Sequence, residues 1–338
     1  MKPKVLLFLL LIILLSGVSG CSTDSSASGS ITGFYFDTVI SISIYDKIPS
    51  SSKKELLNGC MDLASEYEGL FSRTKEGSDI WNINHSGGKA VTVDEATAKL
   101  LTTALSYASL SEGQVDPSIG ALSSLWNFGS GNQKIIPSKK DIKNALSHVN
   151  YKNIIIEKNQ VTLKDPLACL DLGFIAKGFI ADKMKEYLTE KGVKSALINL
   201  GGNVLTIGAH LDGSPFKIGI QNPLETSGTP LLSLEVSGKS VVSSGNYERC
   251  FEMDGVLYHH ILSAATGFPV NNELSQVTVI SDFSTDGDAL STLCFILGLE
   301  KGQALSNSLA HTEAVFVTKD GQIYKTYDTL TVPASTLL

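Results

Sequence analysis

The chain has 338 residues, of which 43% are hydrophobic and 18% charged, which excludes a disordered chain, a collagen-like repeat and a multi-pass membrane protein. Lys and Arg total 27 against 34 Asp and Glu, a formal net charge of −7. No basic block is long enough to neutralise a run of phosphates, so nucleic acid is not an expected partner.

Lys2 and Lys4 precede an unbroken apolar run from Val5 to Leu15. A helix of that length rises about 16 Å, half of the ~30 Å bilayer core, so the run reads as the apolar region of a signal peptide rather than a span. Val18-Ser19-Gly20-Cys21 resembles a bacterial lipobox, in which Cys21 becomes the lipidated N-terminus. Ordinary secretion with an incidental cysteine is the alternative. The expected organisation is a lipoprotein signal peptide over 1–20, a Ser-rich flexible tether over 21–30 and a folded unit over 31–338. That unit is expected on the outer face of a bacterial cell membrane, held to lipid through Cys21.

Phe34, Phe36, Ile40, Ile42 and Ile44 keep the two-residue period of a half-buried strand. Ser52-Lys53-Lys54-Glu55 has the form of a capping box, followed by Leu56, Cys60, Leu63, Tyr67 and Leu70 at helical spacing. Further helices are expected over 94–111, from Ser138, and over 175–191, 286–297 and up to 308. A hairpin is expected over 153–164, with strands near 195–200, 204–209, 216–220, 231–236, 239–243, 256–262, 276–281, 313–318 and 321–326. Runs of strands with single helices between them give an α+β fold with mixed or antiparallel sheets. Cys60, Cys169, Cys250 and Cys294 form no CxxC pair and read as buried thiols.

There is no GxGxxG, GxSxG or HExxH, and Gly238-Lys239-Ser240 lacks the first glycine of a P-loop. Four segments instead gather polar residues and glycines inside apolar surroundings. In Asp116-Pro117-Ser118-Ile119-Gly120, followed by Leu125-Trp126-Asn127-Phe128-Gly129, Asp116 could cap a helix with Pro117 in its first position, or contact a ligand. Asp171-Leu172-Gly173-Phe174-Ile175-Ala176-Lys177-Gly178 puts an acid, glycines and a lysine at a helix start, where unpaired N–H groups favour phosphate. Tyr258-His259-His260-Ile261-Leu262 precedes Thr266-Gly267-Phe268-Pro269-Val270, and in a strand only one of the two histidines can face a given site. In Asp286-Gly287-Asp288-Ala289-Leu290-Ser291-Thr292, Asp288 and Thr292 share a helix face and could bind a hard cation, while Asp286 suits an N-cap.

In this order, and with Asp182 and Asn199-Leu200-Gly201-Gly202-Asn203 between them, these segments resemble the ApbE family of FAD:protein FMN transferases, from about Phe36 to Val317. The resemblance implies a two-lobed, tunnelling-type α+β fold with FAD between the lobes and a divalent cation, usually Mg²⁺. It implies cleavage of the FAD pyrophosphate, attachment of FMN through a phosphoester to a Ser or Thr of exported flavoproteins, and release of AMP. By position it assigns Phe36, Gln114, Val115, Asp116, Asp171, Lys177 and Ile261 to the flavin nucleotide. The Phe174 carbonyl, Asp288 and Thr292 fall to Mg²⁺ and His260 to the transfer step, where an imidazole near its ordinary pKa of about 6.5 suits uptake of the hydroxyl proton. After Ile261 the chain reads Leu262-Ser263-Ala264 where the family commonly has Ile-Asp-Pro. Two other functions share these motifs: an FAD pyrophosphatase releasing FMN and AMP, and a non-catalytic flavin-binding lipoprotein.

Overall fold

A computed structural model describes residues 29–129, 134–225 and 230–326, and the backbone of 331–333. The signal-peptide and Cys21 expectations lie outside the described residues.

The described chain opens with a hairpin of β1 (Ser30–Tyr35) and β2 (Thr38–Ile44). It continues through α1 (Ser50–Phe71), α2 (Asp79–Asn84), β3 (Val91–Thr92), α3 (Glu95–Leu110), α4 (Gly120–Trp126) and α5 (Lys139–Leu146) to the hairpin β4 (Ile154–Glu157) and β5 (Gln160–Leu163). After α6 (Ala176–Glu190) come β6 (Ala196–Leu200), β7 (Asn203–Ile207), β8 (Phe216–Gln221), β9 (Pro230–Val236) and β10 (Ser240–Gly245). β11 (Cys250–Met253), β12 (Val256–His259) and β13 (Leu274–Ser281) lead to α7 (Ser284–Leu297) and α8 (Leu299–Ser308), then β14 (Glu313–Thr318), β15 (Ile323–Lys325) and β16 (Thr331–Pro333).

One eight-stranded sheet, in the order β1-β2-β6-β7-β10-β13-β14-β15, organises the molecule, and its neighbours pair antiparallel throughout. β13 is buried at all eight positions because both sheet faces are covered. Val277, Val279, Ala314 and Phe316 face Leu290, Leu293 and Phe295 of α7, while Val241, Ile280 and Val315 face Phe216, Ile218 and Leu234 of the small β8–β9 sheet. The alternation of Val279 with Ile280, and of Ala314 with Val315, is the strand period expressed as two cores. Nearer the N-terminus, Ile40 and Ile42 of β2 pack with Cys60 and Ala64 of α1 and Ile180 and Met184 of α6. The result is the expected α+β fold with antiparallel sheets. No described helix is long and apolar enough to cross a membrane.

Three local expectations fail for physical reasons. The alternation from Phe34 to Ile44 belongs to two strands, because Phe36 and Asp37 both adopt positive φ, 54° and 57°, and turn the chain back as a two-residue hairpin loop. The capping box at Ser52 is not used: α1 starts at Ser50 after Pro49, with no side-chain cap. Asp116 does not cap a helix, since α4 begins only at Gly120 and the Asp116 carboxylate is held in a local turn by the Ser118 N–H, 2.8 Å away. By contrast, Asp94 and Ser138 cap α3 and α5 as their sequence positions require.

Candidate active site

α6 builds the site from its first turn and α7 from its second and third. The chain enters α6 through a turn in which the Asp171 N–H donates to the Pro117 carbonyl (2.8 Å) and Asp171 Oδ1 accepts from the Gly173 N–H (2.9 Å). Arg73 Nε lies 3.3 Å from Asp171 Oδ2, and its Nη1 donates to Ser124 Oγ at 2.9 Å. Lys177 and Gly178 follow in the first turn of α6. Gly178 is required by space: an added Cβ would sit 2.2 Å from the Ser284 carbonyl oxygen and 2.8 Å from Asp288 Cβ. That close approach lets the Gly178 N–H, one of the unpaired donors of a helix start, donate to Asp288 Oδ2 at 2.9 Å.

Asp288 and Thr292 lie one turn apart on α7, and both open into a polar cleft. Gly173 and Lys177 line it from the start of α6, and Ser243 and Ser244 from the end of β10. Gly201 and Asn203 come from the β6–β7 hairpin, and Glu248 and His260 from the segments flanking β11 and β12. Lys177 Nζ is 3.5 Å from Asp288 Oδ1 and donates to the Gly173 carbonyl at 3.4 Å. Thr292 Oγ1 is 3.1 Å from Ser244 Oγ, which also contacts Ser291 Oγ at 2.8 Å.

Of the two histidines, His260 lines the cleft, and it does so from the position just after β12, which ends at His259. The His260 backbone N–H donates to the Arg249 carbonyl (3.0 Å), and its Nδ1 is sealed from solvent without a partner. Burial, reinforced by the Arg249 charge, pushes its pKa down to about 3, so the expectation of a value near 6.5 does not hold. His259 turns into the protein. Its Nε2 donates to the Val270 carbonyl (2.8 Å), its ring meets the edge of Phe295, and burial lowers its pKa to about 4.

Lys177, His260, Asp288 and Thr292 therefore converge, whereas the other expected residues are not among those that line the cleft. Phe36 occupies the β1–β2 turn, where its N–H donates to Glu68 Oε1 (2.7 Å). Thr38 at the start of β2 packs on Gly201, whose added Cβ would lie 2.3 Å from Thr38 Oγ1. The Gln114 N–H donates to the Ser111 carbonyl, and Val115 and Ile261 are buried together under α7. Asp116 spends its carboxylate on structure: Oδ1 accepts from the Ser118 N–H and hydroxyl, and Oδ2 from the Tyr151 N–H (2.8 Å). Burial raises its pKa and these bonds oppose the rise. The Phe174 ring packs between two hydrophobic clusters, beside the cleft residue Gly173. Asp286 is inside α7 rather than at its cap, and accepts from the Tyr107 hydroxyl at 2.6 Å.

The loop after His260 is braced from two sides. Ser263 Oγ accepts from the N–H groups of Ala265 (3.2 Å) and Thr266 (3.3 Å), so Leu262-Ser263-Ala264 still forms a hydrogen-bonded turn. Trp126, buried and stacked near Phe128 and Tyr258, donates from Nε1 to the Gly267 carbonyl (2.8 Å), which explains the Leu-Trp-Asn-Phe segment as a buttress. Ser243, Ser244 and Glu248 were not found from the sequence, because serines at a strand end and one acid in a loop carry no periodic or motif signal.

The donors suit a hard cation. Asp288 and Thr292 bring a carboxylate and a hydroxyl oxygen to the cleft, and among the described residues no group of three or more His, Cys, Asp or Glu is gathered for a metal. Such an all-oxygen set fits Mg²⁺ far better than Zn²⁺. A lysine and a carboxylate around one cleft, beside the start of α6, form a place for a phosphate-bearing ligand.

Comparison with known proteins agrees with this fold. Residues 36–316 match the model of the ApbE family. An FAD:protein FMN transferase of Klebsiella pneumoniae is 38% identical over 276 residues, covering 81% of this chain and 85% of the relative. One of Treponema pallidum is 34% identical over 330 residues, covering 93% and 91%. The crystal structure of the ApbE protein of Thermotoga maritima superposes with a TM-score of 0.80 at 30% identity, covering 88% of this chain and 96% of that one. The flavin transferase ApbE of Vibrio cholerae gives 0.77 at 25% identity, with the same coverage. With fold, ordered motifs and sequence similarity in agreement over nearly all of the described chain, this protein belongs to the ApbE family.

Proposed function

We propose that the chain is an FAD:protein FMN transferase, which moves FMN from FAD to a Ser or Thr hydroxyl of exported flavoproteins and releases AMP. The observation that carries this reading is the convergence of Lys177, His260, Asp288 and Thr292 on one cleft from segments spread over more than a hundred residues. In the reaction the acceptor oxygen forms a bond to the FMN phosphorus, the bond from that phosphorus to the bridging oxygen breaks, and AMP leaves with the bridging oxygen. The acceptor hydroxyl is a weak nucleophile, and neutral His260 is the group that takes its proton. An anionic pyrophosphate beside the imidazole offsets part of the burial and the Arg249 charge, raising the basicity of His260 when substrate is bound. Lys177 sets a positive charge against the phosphates, and its contact with Asp288 keeps it within the cleft. Mg²⁺ held by Asp288, Thr292 and the Phe174 carbonyl would supply further neutralisation of the phosphate oxygens when bound.

Incubating the protein with FAD, Mg²⁺ and an acceptor flavoprotein tests the reading. An acceptor mass raised by one FMN phosphoester, together with AMP, supports it. Free FMN and AMP with unmodified acceptor would instead identify a pyrophosphatase, and FAD left intact would identify a binding protein.

Lipid attachment at Cys21 on the outer membrane face belongs to the same proposal. It is supported by the Val18-Ser19-Gly20-Cys21 segment and by the nine residues from Cys21 to the start of β1, a tether of about 30 Å when extended. Labelled palmitate should enter the wild-type chain and not the Cys21→Ala variant.

A further inference from the structure

α6 and α7 hold one another through a reciprocal arrangement. In α6, Gly178 presents a first-turn N–H, and Asp182 follows four residues later on the same face; in α7, Ser284 and Asp288 have the same spacing. Asp288 caps α6 at Gly178 (2.9 Å). Asp182 caps α7 in return: its Oδ1 accepts from the Ser284 N–H (2.8 Å), and its Oδ2 from the Thr285 N–H (2.8 Å) and hydroxyl (2.6 Å).

Neither helix has a side-chain cap of its own, because Ile175 and Phe283 occupy the cap positions. Each therefore takes its cap from the other, and neither start can shift without breaking charge-assisted bonds to its partner. Asp182 directs both carboxylate oxygens to the start of α7, one turn before Asp288 and two before Thr292. It is not among the residues lining the cleft.

We propose that Asp182 is a positioning residue for the active site: by capping α7 from α6, it fixes Asp288 and Thr292 against Lys177 in the arrangement that holds a divalent cation. This rests on the reading that Asp288 and Thr292 hold that cation. An amide at position 182 keeps one acceptor but loses the charge and cannot satisfy all three donors.

Binding of Mn²⁺ to the full chain without FAD, followed by electron paramagnetic resonance, reports the site independently of turnover. Asp182→Asn should weaken Mn²⁺ binding by about tenfold or more, with kcat lowered and KM for FAD changed by less than about threefold, since supporting partners of metal ligands have effects of this size. Thr285→Val, which keeps both backbone bonds and loses the hydroxyl bond, should weaken Mn²⁺ binding by about threefold, and it decides the question alone if Asp182→Asn fails to fold. Wild-type Mn²⁺ affinity in the folded variants would overturn the role of Asp182. Retention of Mn²⁺ by Asp288→Ala would overturn the cation reading beneath it, so the two failures are separable.

Discussion

The Asp288 carboxylate accepts a hydrogen bond from the Gly178 backbone N–H at 2.9 Å while its other oxygen lies 3.5 Å from Lys177 Nζ, so the residue assigned to the cation also ends the helix that carries the lysine. Replacing it should have two separable effects. Asp288→Ala should abolish both Mn²⁺ binding and transfer, and should destabilise the fold by about 1–3 kcal/mol through the lost cap and the buried N–H left unpaired. Asp288→Asn retains an acceptor for Gly178, so metal binding should still fail while the melting temperature stays nearer wild type. Equal destabilisation by the two variants would show that the Gly178 bond contributes nothing.

Gly178 tests the closeness of the two helices. Alanine there is favourable for an isolated helix by about 1 kcal/mol, yet its Cβ would lie 2.2 Å from the Ser284 carbonyl oxygen. Overpacking should win, giving a net loss of about 1–3 kcal/mol and weaker Mn²⁺ binding as Asp288 is pushed away. Chemical denaturation of Gly178→Ala measures the first and paramagnetic resonance the second; a stabilised variant would contradict the packing.

His260→Ala should lower kcat for transfer by about 10²–10⁴-fold, the usual contribution of a positioned base, while FAD affinity is largely kept. Stopped-flow turnover and fluorescence titration of FAD separate the two quantities. Full activity in this variant would remove His260 as the proton acceptor.

The buried histidines also set a pH dependence of stability. His259 falls to about 4 on folding, so below the unfolded value of about 6.5 the unfolded chain takes up a proton that the native state refuses. Stability is full above 6.5 and declines as pH drops toward 4, by at most about 1.4 kcal/mol per pH unit for this residue. Urea unfolding at pH 7.5 and 5 should show a smaller drop for His259→Gln than for wild type, and identical drops would contradict the assignment.

Much of the molecule was legible in the chain. The starts expected for α3 and α5 hold because Asp94 and Ser138 cap within three residues of themselves. The ordered motifs pointed to the family and held seven of the cleft residues, because glycines and charged residues inside apolar runs are costly unless a site uses them. The β1–β2 turn misled because Phe36 continues the alternation and nothing local marks its left-handed backbone.

What sequence order could not reveal is which distant groups share an acceptor. Asp116 accepts from Ser118 and Tyr151, and Asp171 lies against Arg73, partners that no local spacing announces. Asp182 and Asp288 lie 106 positions apart, and each caps the helix that carries the other because Gly178 permits the close approach of α6 and α7. Composition and local spacing determined the class, the elements and the chemistry available. Burial and cross-helix hydrogen bonding decided which of those groups face the cleft, because desolvation and partner choice depend on neighbours that the linear chain does not specify.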